Sequence, residues 1–427
     1  MKIQKKFFLF MFVMILALLL AACNDDEGGA NADTGDKDTG SAEASGNAQG
    51  VTDDEILIGH LGPQTGPTAI YDLTRKGVDS YFKYVNENGG VNGRKLKLIA
   101  YDDQYQPSKA VQLAQRLVEE DKVFAMVGNV GSANTLAIKD YITDKGVPMV
   151  LTGVGLTTLY DPPIKNFMGS GIMNYRLEAE IYLDYAVNKL DAKTLAIAYQ
   201  DDDLGKEGYQ AVKNAIAKYP DAEIVEEVTF LPQDTEFSSQ AQKLNKVNPD
   251  VVFYFGSPNP AANLKKAMYK IGLKEPAYIV AAVGGNDNNL FNLAGEAVWE
   301  GSYSSSIMPN AELFPDDEQV KIFIERFGKD YPKDPLAGFG QYGWGYAQVL
   351  VEAIERAGDD LSWDNFLETF YSFDKWEGSL YTSITLGEDN HYAVTSMFMT
   401  QAKDRQIQPI TGAITIDPAT KEIEYED

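Results

Sequence analysis

Residues 55–101 read EILIGHLGPQTGPTAIYDLTRKGVDSYFKYVNENGGVNGRKLKLIAY, and the order of elements in this stretch decides the fold. Ile56–Gly59 is a short apolar run of strand length. From Thr74 to Asn88, Val78, Tyr81, Phe82 and Val85 recur at helical spacing, which predicts a helix with one apolar face. Asn88-Gly89-Gly90 stops it, because these residues tolerate the left-handed backbone that ends helices. Leu96–Tyr101 is then a second strand. Strand, helix and strand in that order form a βαβ unit, and the helix returns the chain so that the two strands lie parallel.

The rhythm continues outward. Pro107–Glu120 is a helix with Ala110, Val111, Ala114, Leu117 and Val118 inward, Val123–Val127 a strand, Ser132–Asp144 a helix and Pro148–Thr152 a strand. It restarts near Tyr175, with helices at 175–190, 205–219, 238–247 and 259–271. Strands at 194–199, 223–230, 251–255 and 277–282 alternate with them. Two such runs predict an α/β protein of two doubly wound, Rossmann-like lobes. After Gly301 the alternation breaks into helices at 317–331, 342–356 and 363–371 and a strand-rich tail, with alternation in 379–385.

The N-terminus sets the address. Met1–Lys6 holds three lysines, Phe7–Leu20 is apolar throughout, and the run ends Leu20-Ala21-Ala22-Cys23, with Cys23 the only cysteine in the chain. A basic start, a short apolar core and small residues form a secretory signal, too short to span a bilayer comfortably. Leu-Ala-Ala-Cys resembles the lipobox of bacterial lipoproteins, in which the cysteine becomes the lipidated first residue; that resemblance implies lipid attachment at Cys23. Residues 1–22 are then the signal peptide. Residues 23–50 are an acidic tether, because 24–49 contain seven acids, one lysine and no large apolar residue, too little to offset the entropy of ordering.

The formal charge is −26, and −29 once Lys2, Lys5 and Lys6 leave with the signal. Such a surface repels nucleic acid and anionic headgroups, so neither is an expected partner. With one cysteine no internal disulfide can form. The two histidines, His60 and His391, have no catalytic motif around them, and there is no P-loop, Gly-x-Ser-x-Gly or His-Glu-x-x-His. The expectation is a non-enzyme without cofactor or metal. Asp201-Asp202-Asp203 reads as a helix start, since acids favour that end of the dipole. Asn286-Asp287-Asn288-Asn289 reads as a loop with Asx turns, because it lacks the glycine and terminal glutamate of a calcium loop.

The informative places are the carboxyl ends of the strands, where open α/β sheets bind ligands. Gly62-Pro63-Gln64-Thr65-Gly66-Pro67 with Tyr71, Gly128 to Thr135, and Thr152-Gly153-Val154-Gly155 are turns rich in glycine and hydroxyl. They free backbone N–H groups beside a helix N-terminus, which suits a carboxylate.

With those residues in view, the chain resembles the extracytoplasmic substrate-binding proteins of ABC transporters, in the leucine/isoleucine/valine-binding group. The motifs are Ile56-Leu57-Ile58-Gly59 with Leu61-Gly62-Pro63 and Thr65-Gly66-Pro67, then Asn86 to Arg94. Tyr101-Asp102-Asp103 with Pro107 to Ala110, Gly128 to Ser132 and Tyr199 to Gly205 complete the set, and the resemblance spans 54–427. It implies the type I periplasmic-binding-protein fold, with crossings near Gly171, Gly301 and Glu377. The N-terminal lobe would hold 51–172 and 303–378, and the C-terminal lobe 173–302 and 379–427. Hinge closure would capture a small solute, and ABC permease subunits would be the partners of a monomer held at the cell membrane by its lipid. A lipid-anchored sensor presenting its closed form to a membrane receptor is the alternative.

Carried over residue by residue, the resemblance implies ligand contacts from Tyr71, Gly131, Ser132, Ala133, Thr152, Gly153 and Gly155 on the first lobe. On the second it implies Asp203, Leu204, Ser257, Val283 and Gly284. Ser132 matches the carboxylate-binding serine. Leu204 and Ser257 stand where the family places aromatics, and Val283 where it places the acid that grips an ammonium. A buried ammonium without an acid is costly. The ligand is therefore expected to be a carboxylate, either a branched-chain amino acid with Asp201, Asp203 or Asp287 substituting, or a hydrophobic or aromatic acid.

Overall fold

The computed structural model describes residues 46–426, apart from 312 and 337. The signal segment and Cys23 lie outside the described residues. Two sheets organise the chain. The first is β1 (Glu55–Gly62), β2 (Lys95–Asp102), β3 (Ala125–Val127), β4 (Met149–Thr152) and β5 (Phe167–Ser170), in spatial order β2-β1-β3-β4-β5. All its pairings are parallel, so every strand ends at the same edge. The intervening helices are α1 (Asp72–Glu87), α2 (Pro107–Gln115) and α3 (Ser132–Lys145). The expected helix 107–120 keeps its α form only to Gln115 and widens into a π turn over Arg116–Glu120.

The second run begins with α4 (Tyr175–Lys189), β6 (Thr194–Gln200), α5 (Asp203–Ala215), β7 (Glu223–Phe230), α6 (Ser238–Val247), β8 (Val251–Phe255), α7 (Pro258–Lys270) and β9 (Ala277–Val280). Three short helices follow, α8 (Ala282–Gly285), α9 (Leu290–Ala294) and α10 (Glu296–Trp299), and then β10 (Tyr303–Ser306). The helices α11 (Glu318–Asp330), α12 (Phe339–Ala357) and α13 (Trp363–Thr369) come next. The chain closes with β11 (Thr385–Gly387), β12 (Asn390–Ala393), β13 (Ser396–Lys403), β14 (Gln406–Pro409), β15 (Ile414–Ile416) and β16 (Ile423–Tyr425). The second sheet runs β16-β15-β13-β10-β9-β8-β6-β7, with β14 paired to β13. Its parallel core ends at β10, which lies parallel to β9 and antiparallel to β13. Two lobes of type I periplasmic-binding-protein form result.

The pairing moves two of the expected boundaries. Tyr303–Ser306 was expected in the N-terminal lobe, but it is hydrogen-bonded into the second sheet, so that crossing follows Ser306 rather than Gly301. Residues 379–393 were expected in the C-terminal lobe. Instead β12 lies on β5, where the His391 ring nitrogen is 2.8 Å from the Phe167 carbonyl, and the last crossing falls between Ala393 and Ser396, not near Glu377. Of the residues expected in the tether, 47–49 are docked on the fold. Ala48 donates to the Leu361 carbonyl at 2.9 Å, Asn47 Oδ1 accepts from Leu361 N at 3.0 Å, and Gln49 donates to the Val123 carbonyl at 3.0 Å. The Asn47 and Gln49 side chains dock this segment, and Ala48 packs against the core.

Helices α1 and α12 pack on the first lobe at backbone distance. A Cβ on Gly77 would stand 2.1 Å from the Gly340 carbonyl oxygen, and one on Gly343 would stand 1.9 Å from that of Thr74. Only glycine permits this approach, and it brings Phe339, Tyr342 and Tyr346 of α12 to the edge where the first sheet's strands end.

Candidate ligand cleft

Between the two sheets lies a small cavity lined from both lobes. The first lobe contributes Tyr71 and Thr74 at the start of α1, Tyr105 from the β2–α2 loop, Val130, Gly131 and Ser132 from the β3–α3 turn, and Gly153 after β4. Ile172 and Tyr175 come from the first crossing and the start of α4, Leu204 from α5, Val283 from α8, and Phe339, Tyr342 and Tyr346 from α12. Among the described residues no charged side chain lines it. The mixture of apolar wall with a few hydroxyls is of the kind that holds a small organic ligand.

Gly131 precedes α3 with φ of +107°, a backbone that glycine adopts without strain, and it offers no side-chain cap. The first N–H groups of the helix therefore receive no side-chain cap from Gly131, and they carry the positive end of the helix dipole. Ser132 is buried and its Oγ lies 3.3 Å from the Tyr175 hydroxyl. Tyr71 stacks edge-on against Phe339, with centroids 4.8 Å apart, and lies face to face with Tyr105 at 6.3 Å. Burial pushes the phenols of Tyr71, Tyr105 and Tyr175 up, so all three stay neutral hydroxyls at physiological pH.

Of the residues expected at the site, Tyr71, Gly131, Ser132, Gly153, Leu204 and Val283 meet at this cavity. The others sit beside it. Thr152 is buried and donates to the Val154 carbonyl while sharing a hydrogen bond with Tyr160. Gly155 is a packing glycine, since a Cβ there would stand 2.5 Å from the Met173 carbonyl oxygen; at Gly284 it would stand 2.3 Å from that of Gly256. Ser257 spends its hydroxyl on Gln200 Oε1 at 2.7 Å. Ala133 is not among the lining residues. Asp203 lines an outer groove with Arg176 and Lys206. Asp201 pairs with Lys206 at 2.8 Å, and Asp287 lines a neighbouring polar cavity and caps its own turn, Asn289 N donating to Oδ1 at 2.7 Å. The carboxylate whose field reaches Tyr71, Tyr105 and Tyr175 is Asp202, the N-cap of α5, whose Oδ1 accepts from Gly205 N at 3.2 Å. Burial pushes the Asp202 carboxyl up, and the Gln200 and Gly205 bonds oppose that. None of the three substitute acids therefore lines the cavity.

Sequence reading missed Thr74, Tyr105, Val130, Ile172, Tyr175, Phe339, Tyr342 and Tyr346. Both histidines are buried and lie off the cavity: the His60 ring nitrogen is 3.0 Å from the Val127 carbonyl, and burial lowers its pKa to about 4. Among the described residues no group of three or more His, Cys, Asp or Glu side chains could hold a metal, and no helix is long and apolar enough to cross a membrane.

The sequence pattern of a family described as periplasmic binding proteins matches residues 55–406. The leucine-, isoleucine-, valine-, threonine- and alanine-binding protein of Pseudomonas aeruginosa is 29% identical over 311 residues, 72% of this chain and 79% of its own. The solved fatty acid ABC transporter substrate-binding protein from Thermomonospora curvata shares the fold with a TM-score of 0.77 at 22% identity, covering 89% of this chain and 95% of that one. An ABC transporter solute-binding protein from R. palustris, solved in complex with benzoate, gives 0.72 at 20% identity, covering 83% and 95%.

Proposed function

Because the chain belongs to the periplasmic binding protein family, we propose that it is the extracytoplasmic substrate-binding protein of an ABC importer, capturing a small carboxylate-bearing solute by closure of its two lobes. It performs no chemistry on the solute and hands it to permease subunits in the membrane. The observation that carries this reading is the cavity itself: an uncapped helix start at Gly131-Ser132 faces apolar and aromatic walls drawn from both lobes. The α3 end and the Ser132 hydroxyl would hold the carboxylate, and Leu204, Val283, Phe339 and Tyr346 would cover the tail. Relatives of similar length bind branched-chain amino acids by name, and proteins of similar fold bind fatty acids or benzoate by name. Lipid attachment at Cys23 would keep the protein beside its permease.

A thermal-shift screen of amino acids, aromatic acids and short fatty acids against residues 46–427 tests the reading. A binder at about 100 times its Kd should add about 2.7 kcal/mol of stability. No shift from any carboxylate would overturn it.

A further inference from the structure

We propose that Glu178 is the positioning residue of the cleft: its carboxylate fixes the α8 wall that carries Val283, and gain of a proton there loosens that wall and weakens capture. Glu178 lies in the first turn of α4 and is 2% exposed. Three donors from three elements meet on one oxygen. Oε1 accepts from Ala282 N at 2.9 Å, from the Tyr182 hydroxyl at 2.9 Å and from the Ser305 hydroxyl at 3.0 Å. Ala282 opens α8, so its N–H has no partner within that helix and Glu178 supplies it. The next residue, Val283, lines the cavity and accepts the Tyr71 hydroxyl from the opposite lobe. Tyr182 and Glu178 sit on the helix that follows the first crossing, and Ser305 on the strand that precedes the second. One oxygen thus ties two crossings to the cleft wall.

No basic side chain is among the groups that act on this carboxyl. If its task were packing alone, glutamine or an apolar residue would fill the site without the expense of burying a charge. Burial raises its pKa to about 7, against the pull of Ala282, Tyr182 and Ser305. The site has an arrangement ready for the proton. The Tyr182 hydroxyl also lies 3.2 Å from the Val280 carbonyl. A protonated Glu178 can donate to the Tyr182 oxygen while the phenol proton turns to Val280. Ala282 N then faces a neutral acceptor, and charge-assisted bonds are roughly twice as strong as neutral ones. The titratable groups facing Glu178 are Tyr182 on its own helix, Tyr175 one turn earlier and Tyr342 on α12; Asp287 acts on Tyr342 from beyond. Burial pushes all three phenols up, so none of these tyrosines changes charge near neutrality.

The proposal rests on the cleft being the capture site, and its test separates the two. Amide exchange across 281–285, expressed as protection factors, needs no ligand. Glu178→Ala should lower protection at least tenfold at pH 8. Glu178→Gln, which keeps the acceptor, should retain most of it but lose the wild-type fall between pH 8 and pH 6. Calorimetry with leucine and with benzoate at the same two pH values should show the parallel loss of affinity in the wild type and not in Glu178→Gln. Equal protection in Glu178→Ala, or the same pH slope in Glu178→Gln, would overturn the proposal. Binding of neither probe by the wild type would instead count against the carboxylate reading and leave the exchange result to decide Glu178.

Discussion

The Tyr71 hydroxyl donates a 3.1 Å hydrogen bond to the Val283 carbonyl, joining the wall of the first lobe to that of the second. Asn259 Nδ2 donates to the Pro67 carbonyl at 2.6 Å, Thr157 N to Glu207 Oε1 at 3.1 Å and Asn286 Nδ2 to the Tyr342 hydroxyl at 2.7 Å, so other bonds bridge the lobes as well. These bonds join the lobes through the chain's own backbone and side chains. A ligand shifts an open-to-closed equilibrium only by its differential affinity for the two forms.

Tyr71→Phe keeps the ring contacts to Phe339 and Tyr105 and removes only the bridge. A neutral hydrogen bond is worth about 0.5–1.5 kcal/mol, so the unliganded open-to-closed ratio should rise roughly two- to tenfold. Small-angle scattering or a fluorophore pair across the lobes would record a more extended protein. Unchanged dimensions would mean that the bond forms only incidentally.

Ser132→Ala should weaken binding of a carboxylate roughly tenfold to a hundredfold, as for loss of a charge-assisted hydrogen bond of about 1.5–3 kcal/mol. The Ser132 Oγ now rests 3.3 Å from the Tyr175 hydroxyl. A bound carboxylate would draw both hydroxyls, and Tyr175→Phe should therefore give a smaller loss in the same direction. Calorimetry that found full affinity in Ser132→Ala would place the carboxylate elsewhere.

The parts of this site that were legible in the sequence are those where chemistry departs from packing. Gly131-Ser132 and Gly153 follow strands at the sheet edge, and glycine beside hydroxyl there has few structural uses. Leu204 and Val283 could be placed only through family resemblance. Phe339, Tyr342 and Tyr346 were invisible for a physical reason. They lie on a helix buried along nearly its whole length, so a residue facing ligand has the same periodicity as one facing core. Asp201-Asp202-Asp203 reads as a helix start, but which of the three caps α5 is decided by backbone geometry that composition does not contain. The strand at Tyr303–Ser306 was missed because serine is a poor strand signal; neighbours on both sides override it.

His60 supplies a pH signature. Its pKa is about 4 in the folded state and 6.5 when exposed, so above pH 6.5 neither state is charged and nothing is lost. As pH falls from 6.5 to 4, the unfolded chain takes up a proton that the folded one refuses, and stability drops by up to about 3 kcal/mol. Buried Glu178 and Asp103, raised to about 7 and 6, act in the opposite sense over an overlapping range. The comparison must therefore be between His60→Gln and wild type by urea unfolding at pH 4.5 and 7.5. The variant should lose less stability on acidification; identical slopes would show that His60 is not buried neutral.

Cys23→Ser should abolish membrane attachment while leaving solute binding intact, because Cys23 lies far along the chain from every residue that lines the cavity. Fractionation of cells producing the variant checks this, and substantial retention in the membrane pellet would reject lipid anchoring.

The ligand's class turns on charge. The cavity is walled by tyrosines, Phe339, Leu204 and Val283, and Asp201, Asp203 and Asp287 all lie off its lining. An α-ammonium entering it would leave water without a side-chain carboxylate to meet it, and an isolated buried charge is among the most costly groups a protein can hold. A carboxylate, in contrast, finds the uncapped start of α3 and loses less. A hydrophobic or aromatic acid of matched size should therefore outcompete leucine in the same calorimetric assay. Asp202 acts on Tyr71, Tyr105 and Tyr175, and it is already held by Gly205 and Gln200. Submicromolar binding of leucine, isoleucine or valine that disappears in Asp202→Asn or Asp203→Asn would refute this and return the protein to the amino-acid binders, with that acid as the ammonium's partner.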